Sequence, residues 1–465
     1  MTERSERDSY GADPEDLRLR LDRCQQEAAA RRDEWDAKSK DLLSGFRQAQ
    51  RYDRGFRNTR RRRELIELVR ESRRARDDEQ PTFDFDILPA QRDYPVVVVL
   101  DELLIRTRDL TERAGQLVRN AGLTPEPVEG LDGRVLRLRA EPAPVGRLAE
   151  LAKALHREGV PVSFDYISPL AVVMKGEGGI EESAWHEPSQ QVERGGVRVG
   201  IIDTGRSAEV RRDGWLTGVS GDEDPLYIDA ERTLGPGGGH GQFVAGIVRQ
   251  VAPRADVKVY RALDQWGVGR EADVASAMFR AAREGLGDGH KVVLNLSFGV
   301  QPVEDRPPIA QEVALELIDE AVAAKGADAE VLVVAAAGNY GTTEPVYPAA
   351  FSRVISVAAV DQNCQPADWS SRGDRVDCST IGVGVRSTYV EGTEWPALDA
   401  TPDHFGPSAW ALWAGTSFAA PQIAAEVARI ADEHGYSLQR ALTQVLSRGT
   451  PVPGFGRVVE ILKPL

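Results

Sequence analysis

The feature that most constrains this chain is the alternation of apolar, β-rich runs with helical segments after residue 196. The apolar runs cover residues 197–203, 257–262, 292–298, 331–337 and 354–360. Helical segments lie between several of them, at 272–284 and 311–324. Continuous apolar strands separated by helices are typical of a parallel sheet that is covered on both faces. We therefore predict an α/β domain over residues 196–465, with its reactive groups at the carboxyl ends of the strands.

Length and composition favour a soluble protein of several domains. A chain of 465 residues suggests two or three domains, and 41% hydrophobic with 28% charged residues is ordinary for soluble proteins. No run approaches the roughly 20 apolar residues that span a bilayer. The charged start of the chain lacks the apolar core of a secretory signal, and three cysteines make no dense disulfide framework. We expect a cytoplasmic protein without a membrane partner.

Residues 1–80 are rich in charge, and their sparse apolar positions have helical spacing. We predict a charged, helical and partly disordered extension. Its basic run at 60–63 either docks an acidic partner or nucleic acid, or forms a solvated helix face beside Glu64, Glu67 and Glu71. The net charge of -15 lies almost wholly beyond this extension, which argues against nucleic-acid binding by the main domain.

A small α/β unit is predicted over residues 94–175. Its order is strand, helix, two strands, helix, strand, with a hairpin turn at Asp132-Gly133. This order is that of the split, ferredoxin-like arrangement. The Asp-rich stretch after Pro81 and the Gly- and Glu-rich residues 176–195 are both expected to be linkers.

Four polar residues in the predicted α/β domain have the types that nucleophilic catalysis needs. Asp203 and Asn339 each end an apolar strand, His240 lies between glycines before an apolar helix, and Ser417 begins a helix of small residues. Histidine activates a serine hydroxyl, a buried aspartate orients the histidine, and an amide donor stabilises an oxyanion. Each residue alone also has an ordinary role in a turn, loop or helix cap. The ordered combination favours catalysis.

These motifs resemble those of the subtilisin-like serine protease (subtilase) family. The resemblance covers about residues 195–450 and rests on four segments: Asp203-Thr204-Gly205, His240-Gly241, Ala337-Gly338-Asn339 and Gly415-Thr416-Ser417. It implies a serine endopeptidase in which Ser417 is the nucleophile, His240 the general base and acid, and Asp203 the residue that orients His240. Asn339 and the Ser417 N–H would form the oxyanion hole.

The resemblance also implies a substrate groove. Main chain near Gly267 and Gly269 and at Ser297, Phe298 and Gly299 would pair with an extended substrate, a form of β-augmentation. The primary specificity pocket would be walled by Ser297–Gly299 and by Ala336, Ala337 and Gly338. Small residues there are expected to leave room for a sizeable side chain, although they are equally consistent with tight packing alone.

Two departures from the family pattern affect the expectations. Gln242-Phe243 stands where the family usually has Thr-His, which should leave proton transfer intact. The stretch 389–412 and the three tryptophans in or next to it form either a lid or exosite, or an ordered surface loop. No cofactor is required for the chemistry. A structural calcium is compatible with the family, but the sequence identifies no ligands for it.

The unit at 94–175 resembles the family's propeptide inhibitor by pattern and position, with a tail that begins near Tyr166. The alternative is an unrelated α/β domain. The leading expectation is a zymogen-like endopeptidase that stays latent until its N-terminal region is displaced or cleaved. A second hypothesis is a signalling or defence protease whose N-terminal helices bind a regulatory or sensor protein. A third, a catalytically silent binding protein, is disfavoured by the complete set of catalytic residues.

Overall fold

The computed structural model describes residues 59–74, 83–88, 95–141, 144–169, 175–181, 194–303, 306–397 and 402–462. The helix predicted near residues 17–35 lies outside the described residues, as does most of the predicted extension. Across these ranges, no helix is both long and apolar enough to cross a membrane.

The N-terminal unit is a helix followed by an antiparallel sheet with two further helices. Its elements are α1 (Thr59–Arg74), β1 (Phe85–Leu88), β2 (Val96–Arg106), α2 (Glu112–Asn120), β3 (Thr124–Pro127), β4 (Val135–Arg139), α3 (Val145–Arg157), β5 (Val162–Pro169) and β6 (Lys175–Glu181). Strands β5, β2, β4 and β3 are neighbours in that order, and every pairing is antiparallel. This is the ferredoxin-like arrangement expected from the sequence.

Apolar residues at helical spacing allow helices α2 and α3 to pack against the sheet of this unit. Helix α2 begins where the Thr111 side chain accepts a hydrogen bond from Ala114 N at 3.2 Å, an N-cap that satisfies one free amide. Its buried residue Val118 and the α3 residue Leu155 pack against Leu103 and other apolar side chains of the sheet. One face of the sheet is thus covered by helices.

Two predicted linkers contain strands. Phe85–Leu88 pairs antiparallel with β2, and its buried residues Phe85 and Leu88 join the apolar packing beneath it. Lys175–Glu181, assigned by sequence to the linker 176–195, pairs antiparallel with the strand Ala409–Trp413 of the second domain. A glycine-rich segment carries little side-chain signal for a strand, so this pairing depends on a partner supplied by the fold.

The second domain is built on a parallel sheet. Its strands are β7 (Val197–Asp203), β8 (Ser220–Gly221), β9 (Asp256–Arg261), β10 (Val268–Arg270), β11 (Lys291–Leu296), β12 (Val331–Ala336), β13 (Val354–Val360), β14 (Cys378–Ile381), β15 (Val385–Thr388), β16 (Gly392–Thr393), β17 (His404–Phe405), β18 (Ala409–Trp413), β19 (Thr450–Val452) and β20 (Gly456–Val458). Its helices are α4 (His240–Val251), α5 (Glu271–Gly287), α6 (Ile309–Lys325), α7 (Thr416–His434) and α8 (Leu438–Ser447).

The order of the main sheet is β19-β20-β14-β13-β12-β11-β7-β9-β8, and only the β19–β20 pair among these described strands is antiparallel. Helices α4 and α7 pack on one face, while α5 and α6 pack on the other, so apolar clusters fill both sides. The parallel sheet covered on both faces, which the alternating pattern predicts, is confirmed, as is the subtilisin-like fold class that the family resemblance implies. The carboxyl ends of β7, β11 and β12 lie side by side, which brings Asp203, Ser297 and Asn339 to one edge.

Candidate active site

Asp203 and His240 form a direct, buried pair. Asp203 is the last residue of β7 and has no exposed surface. His240 Nδ1 lies 2.8 Å from Asp203 Oδ1 and 2.9 Å from Oδ2, and Thr204 N donates to Oδ1 at 2.8 Å. A buried carboxylate needs such donors to stay ionised. Because the carboxylate can only accept, Nδ1 carries the proton, which makes Nε2 the basic nitrogen of the neutral ring.

The His240 ring is held by backbone geometry and by aromatic packing. It begins α4 directly after Gly239, whose φ of +80° favours glycine. A Cβ on Gly239 would also lie 2.7 Å from a Val390 methyl. The rings of Trp413 and Phe418 pack against the imidazole at centroid distances of 5.2 and 5.1 Å. These contacts limit the orientations of the base.

Ser417 lies in the first turn of α7, near the other two residues, but its hydroxyl has a different partner. Ser417 Oγ donates to the carbonyl oxygen of Ser297 at 2.9 Å, and Ser297 Oγ donates to the carbonyl oxygen of Ser417 at 2.8 Å. Within the part of the chain that the structure describes, Ser417 makes no hydrogen bond to His240. Rotation about χ1 of Ser417 is therefore needed before proton transfer, consistent with the loose catalytic hydrogen bonds common in substrate-free enzymes.

Asn339 is oriented by the residue before the nucleophile. Its Oδ1 accepts hydrogen bonds from Thr416 N at 3.0 Å and from Thr416 Oγ1 at 2.8 Å. Its Nδ2 lies on the side of Gly415, 3.5 Å from where a Cβ of that glycine would be. Fixing the oxygen in this way directs the amide donor toward the loop that leads to Ser417. This is the arrangement that an oxyanion donor needs.

The predicted substrate-pairing strand already has a partner. In β10, Gly269 pairs antiparallel with Ser168 and Arg270 with Ile167, both on β5 of the N-terminal unit. Gly267 has a φ of +73° in the turn before this strand, and a Cβ at Gly269 would overlap the carbonyl oxygen of Ala262. The two glycines therefore shape an edge that accepts an extended chain.

Val346 packs beside two of the glycines that are predicted to wall the specificity pocket. Of the predicted wall residues, Ala336 is the last residue of β12 and Ala337 follows it, while the Phe298 ring packs into the core. A Cβ at Gly299 would lie 2.6 Å from Cγ1 of Val346, and a Cβ at Gly338 would lie 3.0 Å from the same methyl. Val346 therefore occupies the space beside both glycines. The sequence pattern missed this because Val346 belongs to a separate loop.

The structure shows the contacts of the residues that depart from the family pattern. Gln242 accepts from Ser207 N and donates to Tyr389 O, both at 3.1 Å, while the Phe243 ring packs on Phe418 with centroids 4.8 Å apart. The stretch 389–412 includes β16, β17 and most of β18, with Trp410 buried. Its described residues Tyr389 and Val390 lie beside the glycine turn before His240.

Sequence reasoning missed Asp224, a fully buried carboxyl group behind the catalytic pair. Its Oδ2 accepts from Thr204 Oγ1 at 2.6 Å and from Gly239 N at 2.9 Å. Burial raises the pKa of Asp224 to about 6, although these hydrogen bonds oppose that shift. The acidic run that contains it reads as a surface loop, so no local signal identified it.

Comparisons with known proteins identify relatives of this chain. A thermostable alkaline protease of Halalkalibacterium halodurans is 33% identical over 217 residues, which are 44% of this chain and 53% of that protein. Thermitase of Thermoactinomyces vulgaris is 30% identical over 274 residues, or 57% of this chain and 85% of thermitase.

A solved structure described as a lanthipeptide protease has 22% identity and a TM-score of 0.46, covering 59% of this chain and 88% of that chain. This chain spans about half the length of the alkaline protease it matches, and most of thermitase. The model of the Subtilase family matches residues 194–450, more than half of the chain. The chain therefore belongs to the subtilase family.

Proposed function

We propose that this chain is a serine endopeptidase of protein substrates that its own N-terminal unit keeps latent. Family membership and the Asp203–His240 pair beside Ser417 support the peptidase activity. The observation that carries the latency is the pairing of β5 with β10, because it places a strand of the same chain on the edge that a substrate would use.

The catalytic steps follow from the placement of the side chains. After rotation, Ser417 Oγ bonds to the scissile carbonyl carbon as its proton passes to His240 Nε2. Asp203 stabilises the imidazolium, and Asn339 with the Ser417 N–H stabilises the oxyanion. Collapse breaks the C–N bond, and His240 gives its proton to the leaving amine. Water then hydrolyses the acyl-enzyme by the same route, which regenerates Ser417.

Ion pairs between the two units support a stable latent form. Arg106 on β2 contacts Glu312 at 2.6 Å and Glu316 at 2.8 Å, both on α6. The Arg106 guanidinium is about nine-tenths buried, so water screens this network less than an exposed pair. Asp165 Oδ1 also accepts from Ala272 N at 3.2 Å, where it caps the start of α5. Displacement of the unit would break all of these contacts together.

Helix α1 adds a second layer over the occupied groove. Its Val69 lies in one apolar cluster with Ile167 of β5 and with Trp266 and Val268 of the peptidase domain. This packing covers the back of the β5–β10 pairing. Release of β5 therefore requires that α1 move as well, which favours control by events at the N-terminal region.

The test is the labelling rate of Ser417 by a fluorophosphonate probe in the full chain. Wild type should label slowly, and Ile167→Asp should label faster because a charge in the apolar cluster expels β5. Ser417→Ala should not label in either background. Equal labelling rates for folded wild type and folded Ile167→Asp would contradict the proposed latency. Absence of Ser417-dependent labelling in both would contradict the proposed peptidase activity.

The second candidate, a signalling or defence protease that a partner switches on, is favoured by the position of α1. Glu64, Glu67 and Glu71 are exposed on this helix, while Val69 and Arg73 on its other face are buried against the rest of the molecule. A partner that binds the exposed face could pull the helix away. Pull-down with the full chain, followed by the probe assay with each captured protein, tests this; capture without faster labelling would argue against it.

A further inference from the structure

Asp224 connects the two segments that carry the catalytic pair. Its Oδ2 accepts from the hydroxyl of Thr204, the residue after Asp203, and from the N–H of Gly239, the residue before His240. The Thr204 hydroxyl in turn accepts from Gly241 N at 3.1 Å. One carboxylate oxygen and one hydroxyl thus tie the end of β7 to the start of α4 on both sides of His240.

The other carboxylate oxygen holds the loop that supplies this residue. Asp224 Oδ1 accepts from Leu226 N at 3.0 Å, and Asp224 N donates to Arg206 O at 2.8 Å. On the opposite side of the glycine turn, Tyr389 Oη donates to Gly238 O at 2.9 Å. The turn before His240 is therefore held from two directions, and Asp224 is the charged member.

We propose that Asp224 is a positioning residue that holds Asp203 and His240 at their hydrogen-bonding distance and adds a second negative charge behind the imidazole. The inference rests on the proposed function, since it assigns a role within the same reaction. Asp224 acts through Thr204 and Gly239 and does not touch the reacting atoms.

The charged surroundings of Asp224 favour this role over that of a simple loop anchor. The titratable groups that act on it or feel its charge are Asp203 on β7 and Tyr389 after β15, and its hydrogen bond from Gly239 N places it next to the residue before His240. In the described ranges, no lysine or arginine forms an ion pair with it. A neutral amide could anchor a loop as well, but it would supply no charge to stabilise the imidazolium.

The test compares Asp224→Asn with Asp222→Asn in the full chain. Asp222 is a nearby, partly exposed acid that binds Arg280 and Arg261 N and does not contact the catalytic residues. The first readout is the low-field proton resonance of His240 Nδ1–H, followed against pH. Its titration midpoint should move to lower pH in Asp224→Asn because a stabilising negative charge is lost, and it should stay at the wild-type value in Asp222→Asn.

The second readout is the maximal rate of fluorophosphonate labelling. Asp224→Asn should lower it by roughly 10- to 100-fold, the effect expected from misplaced catalytic groups, with little change in the probe concentration at half-maximal rate. Thr204→Val removes the hydroxyl link and with it one hydrogen bond that favours the ionised form of Asp224, so it should slow labelling and move the resonance midpoint in the same direction as Asp224→Asn, but by less. This variant carries the test if Asp224→Asn does not fold.

The proposal is overturned if folded Asp224→Asn keeps the wild-type midpoint and labelling rate, or if Thr204→Val labels at the wild-type rate. These outcomes are separable from failure of the proposed function. Absence of Ser417-dependent labelling in wild type would contradict peptidase activity, while the resonance would still report whether Asp224 influences His240.

Discussion

Among single residues, Val346 decides how much space the specificity pocket offers. Its methyls fill the volume beside Gly299 and Gly338, so the preferred substrate side chain at the cleaved bond should be small. Val346→Ala, in the Ile167→Asp background, should raise kcat/KM for leucine relative to alanine at that position by roughly tenfold. Peptide-library cleavage measures the ratio. Val331→Ala, at the far end of β12, is the matched control and should leave the preference unchanged.

A substitution at Asn339 can separate the role of its amide N–H donor from that of its oxygen, which accepts hydrogen bonds from Thr416. Asn339→Asp keeps an oxygen that can accept from Thr416, but it replaces the amide donor with a negative oxygen. We expect kcat to fall by roughly 100- to 1,000-fold, with KM little changed, because the donor acts on the oxyanion. Steady-state kinetics in the Ile167→Asp background measure this. A variant with wild-type kcat would remove Asn339 from the oxyanion hole.

At the scale of elements, α1 is joined to the peptidase domain by one ion pair and one apolar cluster. Arg73 Nη2 lies 3.0 Å from Asp264 Oδ2, in the turn that leads into β10. Burial raises the pKa of Asp264, against the opposing effect of Arg73. Arg73→Glu would place two acids together, so α1 should detach and fluorophosphonate labelling of the full chain should become faster.

The control for this prediction lies on the same helix. Arg63 is exposed, so Arg63→Glu reverses the same charge without changing a contact to the peptidase domain. Its labelling rate should equal that of wild type. If Arg73→Glu and Arg63→Glu behave alike, α1 has no part in restraining the active site.

For the whole molecule, two buried acids at the junction of the units predict a pH dependence. Burial, first, raises the pKa values of Asp165 on β5 and Glu271 on α5 well above the usual carboxyl range, and repulsion from Asp165 adds to the shift at Glu271. Glu102 adds repulsion and Arg270 opposes it at Asp165. Because these two groups bind more protons in the folded form than in the unfolded form, the stability that they contribute is fully present below the ordinary carboxyl pKa and is lost as pH rises through the raised values.

Urea unfolding of the full chain at a series of pH values measures this effect. Glu271→Gln removes one of the two acids, so the decline of the unfolding midpoint with rising pH should become shallower. Glu150→Gln replaces an exposed acid on α3, and the hydrogen bond from Lys153 lowers the pKa of that acid. This variant should leave the decline of the unfolding midpoint unchanged. A midpoint that rises with pH across this range would contradict the sign of the prediction.

The sequence by itself determined most of the elements and selected the four candidate catalytic residues. Strand and helix periodicity placed β7, β11 and β12 correctly because buried parallel strands consist of continuous runs of apolar residues. Asp203, His240, Asn339 and Ser417 were found because each lies in a local motif beside such an element. The ferredoxin-like order of the N-terminal unit was readable for the same reason.

Only the tertiary structure decided how distant segments meet. The strand at 175–181 forms because β18 provides its hydrogen bonds, and no local sequence pattern predicts that pairing. Val346 lies beside Gly299 and Gly338, and Asp224 accepts a hydrogen bond from Thr204, from loops that carry no catalytic motif. Hydrogen bonding and steric contact depend on positions in space. Periodicity reports only which residues share a face of one element.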